Sequence, residues 1–390
     1  MDLNKVLSDH VQTIKPSGIR KFFDLAKQVE GVISLGVGEP DFDTPWHIRE
    51  AAVYSIQCGQ TTYTENSGLL SLRKEICKYQ KKRYGLEYKP EQAIITVGGS
   101  EGIDIALRAL INVGDEVIIP TPSYVAYEPG VILAGGVVKL LPLTSENEFK
   151  VTPEALTACI NEKTKAIILN FPNNPTGGTM SHEDYEKLVP IIKESGIIVL
   201  SDEIYSDLIY EGKHASLAQF DEIKDQVVII SGCSKAFSMT GWRLGYLLGN
   251  TTLIKAMLKI HQYVIMSAPT MSQYAAIEGF KHGDADVEQM RLAYLGRRNL
   301  IVKRFNDMGL PTHTPKGAFY IFPDIRSTGL TSEEFCNALL EDQKVACVPG
   351  SAFGDAGEGF IRVSYAYSIE ELTAAADRIK LFMDKLNKNK

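Results

Sequence analysis

Short apolar stretches, each followed by a loop rich in Gly, Pro, Ser and Asn, recur through much of the chain. They occur at residues 93–97, 116–119, 166–169, 197–200 and 227–230. Nearly every position in them is apolar, rather than every second one, which is typical of strands covered on both faces of a mainly parallel sheet. Helical patterns, such as 103–111 and 181–194, follow several of the loops. The pattern predicts an α/β fold, in which ligands bind at the carboxyl ends of the strands.

The remaining residues predict a smaller unit of mixed structure. Residues 287–308 have the pattern of a long helix, 317–322 and 360–365 resemble short strands, and a last helix begins at 369. This mixture is typical of an α+β domain. The chain of 390 residues is long enough for two domains. Its first 45 residues are too few to form a domain alone, so we expect them to pack on the C-terminal part or on a partner subunit.

Composition argues against several classes of protein. The net charge is −7, whereas a nucleic-acid-binding protein needs a basic surface. The six cysteines contain no CxxC pair and the seven histidines no HExxH motif, so neither a redox dithiol nor a local metal site is indicated. No apolar stretch has the length of a membrane span, and the first ten residues contain no apolar signal region. We therefore expect a cytoplasmic protein with no metal, nucleic-acid or membrane partner.

Two of the loops contain residues suited to an anion or a polar ligand. Residues 98–102 (GGSEG) follow a strand and open a helix. Glycines permit close backbone approach, and the free N–H groups of a first helical turn bind anions. A tight turn with a serine N-cap is the alternative. In residues 173–178 (NNPTGG), the amide of Asn174 can donate to a ligand oxygen, whereas a simple Pro/Gly turn is the alternative.

Ionisable side chains follow the next two apolar stretches. Asp202 comes directly after 197–200, where an acid can pair with a cationic group of a ligand or cap a helix, and Tyr205 follows it. Lys235 lies in the loop after 227–230, and Arg243 follows eight residues later. A partly desolvated lysine near a second cation has a lowered pKa, which makes its free amine a nucleophile. A solvated surface lysine is the alternative.

These segments resemble, in order and composition, the motifs of class I pyridoxal-phosphate aminotransferases of fold type I. They are ISLGVGEPDFDTP at 33–45, YTENSGLLSLR at 63–73, VGGSEGID at 97–104, NPTG at 174–177, SDEIY at 201–205, SGCSKAFSMTGWRLGY at 231–246 and FIRVSYA at 360–366. The resemblance covers essentially the whole chain. It implies a large domain over 46–285, with a mainly parallel sheet flanked by helices. It also implies a discontinuous smaller α+β domain made of 1–45, an active-site segment, and 286–390.

The resemblance implies a role for each residue around the ring of the cofactor. Lys235 is expected to bond to the cofactor aldehyde and then, when freed, to act as the general base. Asp202 is expected to pair with the pyridine nitrogen and keep it protonated. Asn174 and Tyr205 are expected to hydrogen-bond the phenolic oxygen, and Tyr124 to stack on the ring. Lys235, Asp202 and Tyr205 are therefore the predicted catalytic residues.

The cofactor phosphate is expected at the start of the helix that follows 93–97. The resemblance places it on the backbone of Gly99, Ser100 and Glu101. Ser234 and Arg243 are expected to contribute side chains. A dianion suits both a helix N-terminus and a permanently charged guanidinium.

The resemblance also implies how the substrate and a second subunit contribute. Arg362 is expected to bind the substrate α-carboxylate with its planar fork, assisted by Asn174 and the backbone of Gly38. Tyr63 is expected to reach the cofactor phosphate of a neighbouring subunit, so the protein is expected to be a homodimer with shared active sites. The Thr121–Pro122 and Asn174–Pro175 peptide bonds are expected to be cis.

The substrate is less defined by the sequence. The chain is similar to the subgroup containing bacterial and archaeal aspartate, aromatic and N-acetyl-diaminopimelate aminotransferases. Acid-preferring members tend to have a lysine after the paired glycines, where this chain has Ser100. An aromatic L-amino acid is therefore the first choice of donor, with 2-oxoglutarate as acceptor by a ping-pong mechanism. Aspartate, N-acetyl-diaminopimelate or broad specificity is the alternative, as is a C–S lyase on the same fold.

Two other classes of protein are disfavoured. A nicotinamide-dependent dehydrogenase would need a GxGxxG fingerprint, which is missing from the sequence. A transcription regulator with an aminotransferase-like domain would need an added DNA-binding segment, whereas the family motifs begin at Ile33. The sequence therefore predicts an enzyme of amino-acid metabolism.

Overall fold

A computed structural model of the protein describes residues 3–16, 18–19 and 29–388. The remaining parts of the predicted small domain, 1–2, 17, 20–28 and 389–390, lie outside the described residues. In the described part, the strands are β1 (Ile33–Ser34), β2 (Ala93–Thr96), β3 (Glu116–Thr121), β4 (Val137–Pro142), β5 (Thr164–Asn170), β6 (Ile198–Asp202), β7 (Val227–Gly232), β8 (Gly245–Leu248), β9 (Tyr320–Ile321), β10 (Val345–Ala346), β11 (Val348–Pro349) and β12 (Ile361–Ser364).

The α-helices account for most of the remaining regular structure. They are α1 (Asp9–Thr13), α2 (Trp46–Gln57), α3 (Leu70–Tyr84), α4 (Gly98–Leu110), α5 (Tyr127–Leu133), α6 (Pro153–Cys159), α7 (His182–Glu186), α8 (Val189–Ser195), α9 (Cys233–Ala236), α10 (Thr251–Val264), α11 (Thr270–His282), α12 (Asp284–Asp307), α13 (Ser332–Gln343) and α14 (Ile369–Lys388). Among the described residues, no helix is both long enough and apolar enough to cross a membrane.

A seven-stranded sheet has the order β2-β8-β7-β6-β5-β3-β4. The strands from β7 to β4 are mutually parallel, and β8 is antiparallel to both of its neighbours. The predicted mainly parallel sheet is therefore confirmed, and all five predicted strands belong to it. The sequence analysis missed two members of the sheet, the edge strand β4 and the antiparallel strand β8.

The central strands are buried on both faces, as their apolar composition predicts. In β5, Ile167 packs in one apolar cluster and Ile168 in another. Val199 and Leu200 of β6 divide in the same way. Side chains alternate across a strand, so two clusters on one strand mean two covered faces. Helices on both faces provide the cover.

Two predicted elements differ in extent. The helix expected over 181–194 is divided into α7 and α8, and Pro190 lies in the first turn of α8. Proline lacks the N–H that a helix interior needs, so a new helix starts there instead. The strand expected over 317–322 shortens to β9, because Ala318 has a φ of 57° and cannot continue an extended strand.

A further apolar cluster contains Leu35 and much of α12, α13 and α14. Two small sheets accompany it. One is antiparallel with the order β11-β12-β9, and in the other β1 pairs in parallel with β10. Of the two positions expected for the N-terminal segment, the structure therefore places residues 33–35 against the C-terminal part. The boundary between the two predicted domains stays a prediction.

Candidate active site

A cavity lies at the carboxyl ends of the parallel strands. Its volume is about 380 Å³. It brings together eleven of the residues selected from the sequence: Gly38, Gly99, Ser100, Tyr124, Asn174, Asp202, Tyr205, Ser234, Lys235, Arg243 and Arg362. Glu101 and Tyr63 are the two that do not line it. The cavity also contains two tyrosines that the sequence analysis did not select, Tyr127 and Tyr320.

Lys235 lies on α9, directly after the end of β7, and is half-buried. Its Nζ donates a hydrogen bond of 2.6 Å to the carbonyl oxygen of Gly38. Burial lowers the pKa of Lys235 to about 8, and the charges of Arg362 and Arg243 act in the same direction. The side chain is thus a lysine whose neutral amine is more accessible near neutral pH than that of a surface lysine.

Asp202 is the last residue of β6 and is buried. Burial raises the pKa of its carboxyl to about 6, although a hydrogen bond from Tyr127 opposes this shift. That bond joins the Tyr127 hydroxyl to Oδ2 at 2.6 Å, and the backbone N–H of Ile204 donates to Oδ1 at 3.2 Å. The carboxyl therefore has a fixed orientation, and no cationic side chain among the described residues contacts it directly.

Tyr127 is a site residue that sequence reasoning missed. It opens α5, just after the strand end that carries Tyr124, and is fully buried. Its ring packs edge-on against Tyr124, with centroids 5.5 Å apart. Its position after the carboxyl end of β3, three residues beyond Tyr124, is the sequence feature that could have identified it.

Arg362 projects from β12 and is only 3% exposed. Its Nη1 donates to Oδ1 of Asn174 at 2.9 Å, and its Nη2 donates to the carbonyl of Gly36. Its Nε is buried and has no hydrogen-bond partner within the part of the chain that the structure describes. The guanidinium is held in the cavity wall by these contacts, and one of its donors is still unpaired.

Tyr205 and Tyr320 share a hydrogen bond of 2.9 Å between their hydroxyl groups, and both are buried. The ring of Tyr320 lies 4.6 Å from the guanidinium carbon of Arg362, which is a cation–π distance. Burial raises the pKa of Tyr205 well above its usual value, so this hydroxyl stays protonated and can donate. Tyr320 was not selected from the sequence, because nothing in its local motif shows a contact with Tyr205 or Arg362.

One end of the cavity is built to receive an anion. Gly99 and Ser100 lie in the first turn of α4, whose free N–H groups carry a partial positive charge. Arg243 leans over this turn, since a Cβ on Gly98 would come within 2.7 Å of its Nη2. Ser234 lines the same end. A glycine at position 98, with a φ of 74°, thus makes room for the guanidinium beside the helix N-terminus.

Glu101 lies behind this end of the cavity. One of its side-chain oxygens accepts a hydrogen bond from the backbone N–H of Val97, and the other lies 2.6 Å from Nδ1 of His261. The side chain is therefore directed away from the cavity, and any contact of residue 101 with an anion there has to come from its backbone.

Tyr124 and Tyr63 differ sharply in environment. Tyr124 lines the cavity, and a hydrogen bond with Ser100 partly offsets the rise in its pKa that burial causes. Tyr63 is 79% exposed. Tyr63 does not line this cavity, so it could contact a ligand in such a cavity only in another copy of the chain or after a conformational change.

The N-terminal segment closes the cavity from one side. Gly38 is packed so tightly that an added Cβ would overlap the Tyr320 hydroxyl. The same segment is anchored beyond the cavity by Asp41, which forms two hydrogen bonds with Arg297, at 2.7 and 2.9 Å. The segment is thus held on α12.

Three X–Pro peptide bonds in the described part of the chain are cis, at Thr121–Pro122, Phe171–Pro172 and Asn174–Pro175. Two of them were predicted, and the Phe171–Pro172 bond was not. A search of the described residues for three or more metal-ligating side chains in one place found no such group.

Comparison with known proteins gives consistent matches. Residues 30–379 match the family model described as aminotransferase class I and II. A protein named putative aminotransferase YugH, from Bacillus subtilis (strain 168), is 52% identical over 98% of this chain and 100% of its own length. A protein named aspartate aminotransferase, from Pyrococcus abyssi, is 46% identical over 96% of this chain and 97% of its own.

Solved structures agree in fold. The crystal structure of an aromatic aminotransferase from Pyrococcus horikoshii OT3 superposes with a TM-score of 0.89 at 43% identity. It covers 93% of this chain and 99% of that structure.

Proposed function

The chain belongs to the class I and II aminotransferases, a family of pyridoxal-phosphate-dependent transaminases of fold type I, and we propose that cofactor and substrate meet in the 380 Å³ cavity. One observation carries this assignment. The amine of Lys235 shares the cavity with a buried acid, Asp202, and with two guanidinium groups, those of Arg243 and Arg362. A lysine on the protein surface would not share a cavity with a buried acid and two guanidinium groups.

The cavity fits each polar group of the cofactor. The α4 N-terminus, Ser234 and Arg243 suit the phosphate dianion. Asp202 has the raised pKa of an acid that lacks a cationic partner, and a protonated ring nitrogen would supply that partner. Tyr205 and Asn174 would hydrogen-bond the phenolic oxygen. A volume of about 380 Å³ lies within the usual range for small-molecule sites.

The chemistry divides between the cofactor and the protein. When bound, pyridoxal phosphate accepts the electron pair left behind when the substrate Cα–H bond breaks. Lys235 has the lowered pKa that a base needs, so its Nζ would take the proton from the substrate Cα and deliver it to the C4′ carbon of the cofactor. Arg362 binds the substrate carboxylate and orients the Cα–H bond toward that amine.

We propose an aromatic L-amino acid as the donor and a 2-oxo acid, with 2-oxoglutarate as the first to test, as the acceptor. Two observations support the aromatic donor. The wall around Arg362 includes Tyr124, Tyr320 and Val37, which suit an apolar side chain. The described lining residues include Lys235, Arg243 and Arg362 as their cations, and all three already have roles. An acidic side chain would therefore have no cation of its own among the described lining residues.

A homodimer with shared active sites is the proposed assembly. Trp46, Tyr54, Tyr63 and Tyr263 are between 66% and 86% exposed. Large exposed apolar side chains in one region are typical of an interface. Hydrogen bonds tie the segment that carries Tyr63 to the one that carries Tyr263, for example from Asn66 to the Met266 carbonyl. Tyr63 would then reach the phosphate of the partner's cofactor.

The dimer has a direct test. We expect a dimer by light scattering, and we expect Tyr63→Phe to weaken pyridoxal-phosphate binding without changing the oligomeric state. A monomer with full activity would refute the shared site.

All six cysteines lie in the described part of the chain and are free thiols, which supports a cytoplasmic location.

The function is tested by visible absorption of the purified holoenzyme before and after addition of single amino acids. We expect the cofactor band to bleach with phenylalanine or tyrosine, with release of the matching 2-oxo acid. Bleaching with aspartate alone would overturn the aromatic preference. Release of ammonia or sulfide would instead identify a lyase. Lys235→Ala serves as the control and should show neither the band shift nor turnover.

A further inference from the structure

Glu101 and His261 form a buried pair directly behind the N-terminus of α4. Nδ1 of His261 lies 2.6 Å from Oε1 of Glu101, and their side chains are 0% and 7% exposed. The other carboxylate oxygen accepts a hydrogen bond from the backbone N–H of Val97. The pair thus links α10, which carries His261, to the first turn of α4, which lies at the anion end of the cavity.

His261 occupies a position where packing alone would favour an apolar residue. The buried face of α10 consists of Ile254, Met257 and His261, at helical spacing. The Nε2 atom of His261 is buried, and none of the described residues forms a hydrogen bond with it. A polar atom left unsatisfied in the interior costs stability. The contact of Nδ1 with Glu101 is therefore the interaction that distinguishes a histidine from a leucine at this position.

Glu101 would interfere with an anion if its side chain were free. Glu101 lies in the first turn of α4, close to the N–H groups of Gly99 and Ser100. A carboxylate turned toward the cavity would repel a phosphate dianion and compete with it for those N–H groups. In the structure, both carboxylate oxygens are occupied elsewhere. A carboxylate only accepts hydrogen bonds, so the tautomer of His261 that fits this contact is the one with the proton on Nδ1.

We propose that His261 is a positioning residue for cofactor binding, which holds the Glu101 carboxylate away from the phosphate end of the cavity. This rests on the proposed function, in which the α4 N-terminus binds the phosphate. His261 itself lies behind the helix and touches neither cofactor nor substrate. Its effect is therefore specific to ligands that carry a phosphate.

The test compares two ligands on the full-length apoenzyme. The dissociation constants of pyridoxal phosphate and of pyridoxal, which lacks the phosphate, are measured by absorption for the unmodified protein and for His261→Leu. We expect pyridoxal phosphate to bind about tenfold more weakly to the variant, the effect of one lost hydrogen bond to a charged group. Pyridoxal should bind equally to both proteins.

Three further variants separate positioning from packing. His261→Asn keeps a donor near the place of Nδ1 and should retain most of the affinity. Glu101→Gln combined with His261→Leu removes the charge that the histidine restrains, so it should recover most of the lost affinity. Ile254→Val changes the same buried face without touching Glu101, so it should leave the preference for pyridoxal phosphate over pyridoxal unchanged.

The outcomes distinguish the two hypotheses. Equal loss of both ligands in His261→Leu, or no recovery in the double variant, would mean a structural role and would overturn the inference. If the unmodified protein binds pyridoxal as tightly as pyridoxal phosphate, the proposed phosphate site itself is wrong. A loss confined to the phosphorylated ligand and reversed in the double variant supports the inference.

Discussion

The side-chain oxygen of Asn174 accepts a hydrogen bond of 2.9 Å from Nη1 of Arg362, although the two residues are 188 positions apart. The bond joins the loop after β5, a strand of the seven-stranded sheet, to β12, a strand of the small antiparallel sheet. Aromatic rings of Tyr320 and Phe353 lie 4.6 and 4.8 Å from the same guanidinium. Arg362 is therefore oriented before any substrate arrives.

This orientation makes Arg362→Lys a sharp test of carboxylate binding. A lysine keeps the charge but loses the planar fork and the stacking on the two rings. We expect kcat/KM for amino donors to fall roughly 10²-fold, the effect of losing two charge-assisted hydrogen bonds. Pyridoxal-phosphate affinity should not change. Arg326→Lys is the matched control, since Arg326 lies at the surface, away from the cavity, and pairs there with Asp324. Full activity in Arg362→Lys would exclude Arg362 as the carboxylate ligand.

Lys235→Met is expected to abolish transamination and yet stabilise the apoprotein near pH 7. The folded state lowers the pKa of Lys235 from 10.5 to about 8, chiefly by burial. The native protein thus binds fewer protons than the unfolded chain between these two values. Its stability rises with pH across that window, and below it the cost of burying the charge is fully present. Methionine removes this cost, at most about 3 kcal/mol.

Thermal unfolding of the apoprotein at several pH values checks this expectation. The advantage of Lys235→Met should shrink as pH rises from about 8 to 10.5, since the native lysine becomes neutral. The exposed Lys281 provides the control. Lys281→Met should alter stability by less than about 0.5 kcal/mol and leave turnover intact. A Lys235→Met protein that is less stable than the parent at pH 7 would contradict the buried-charge argument.

The apoprotein is expected to lose stability as the pH rises through the mildly acidic range, and Asp202→Asn should remove this loss. Burial raises the pKa of Asp202 from 3.8 to about 6, so the native protein holds the proton to higher pH than the unfolded chain does. This contribution to stability is fully present below about 3.8 and is lost as pH rises through about 6. The asparagine variant should lack that fall, whereas Asp221→Asn, at an exposed position, should retain it.

Tyr127→Phe provides a graded version of the same experiment. The Tyr127 hydroxyl donates to Asp202 and lowers its pKa, opposing the effect of burial. Removing it should move the fall in stability to higher pH. An unchanged pH profile in both Asp202→Asn and Tyr127→Phe would mean that the buried carboxyl does not titrate in this range.

The sequence was most informative where chemistry and local structure coincide. Asp202 is the last residue of a parallel strand, and Asn174 and Lys235 lie in the segments that follow two others, so a local pattern is enough to place them at one edge of the sheet. The burial of both faces of that sheet was also predictable, because consecutive residues such as Ile167 and Ile168 are both apolar.

What the sequence could not show depends on contacts between distant elements. Tyr320 meets Tyr205 and Arg362 only after β9 and β12 pair, and no local motif records that pairing. The antiparallel strand β8 was also missed, and its pairing with β2 joins Ala93 to Leu248, which are far apart in the chain. Tyr63 lies on the surface of one chain, so its predicted role depends on a second copy.

Gly38→Ala is expected to disturb the closed side of the cavity. An added methyl group would overlap the Tyr320 hydroxyl, so either this hydroxyl or the segment that accepts from Lys235 must move. We expect kcat/KM to fall about tenfold or more, since small displacements of positioning groups are costly. Tyr320→Phe in the same chain removes the overlapping atom and should restore part of the loss. The control is Gly296→Ala, whose methyl group meets open space within α12. Equal kinetics for Gly38→Ala and Gly296→Ala would show that the segment tolerates displacement.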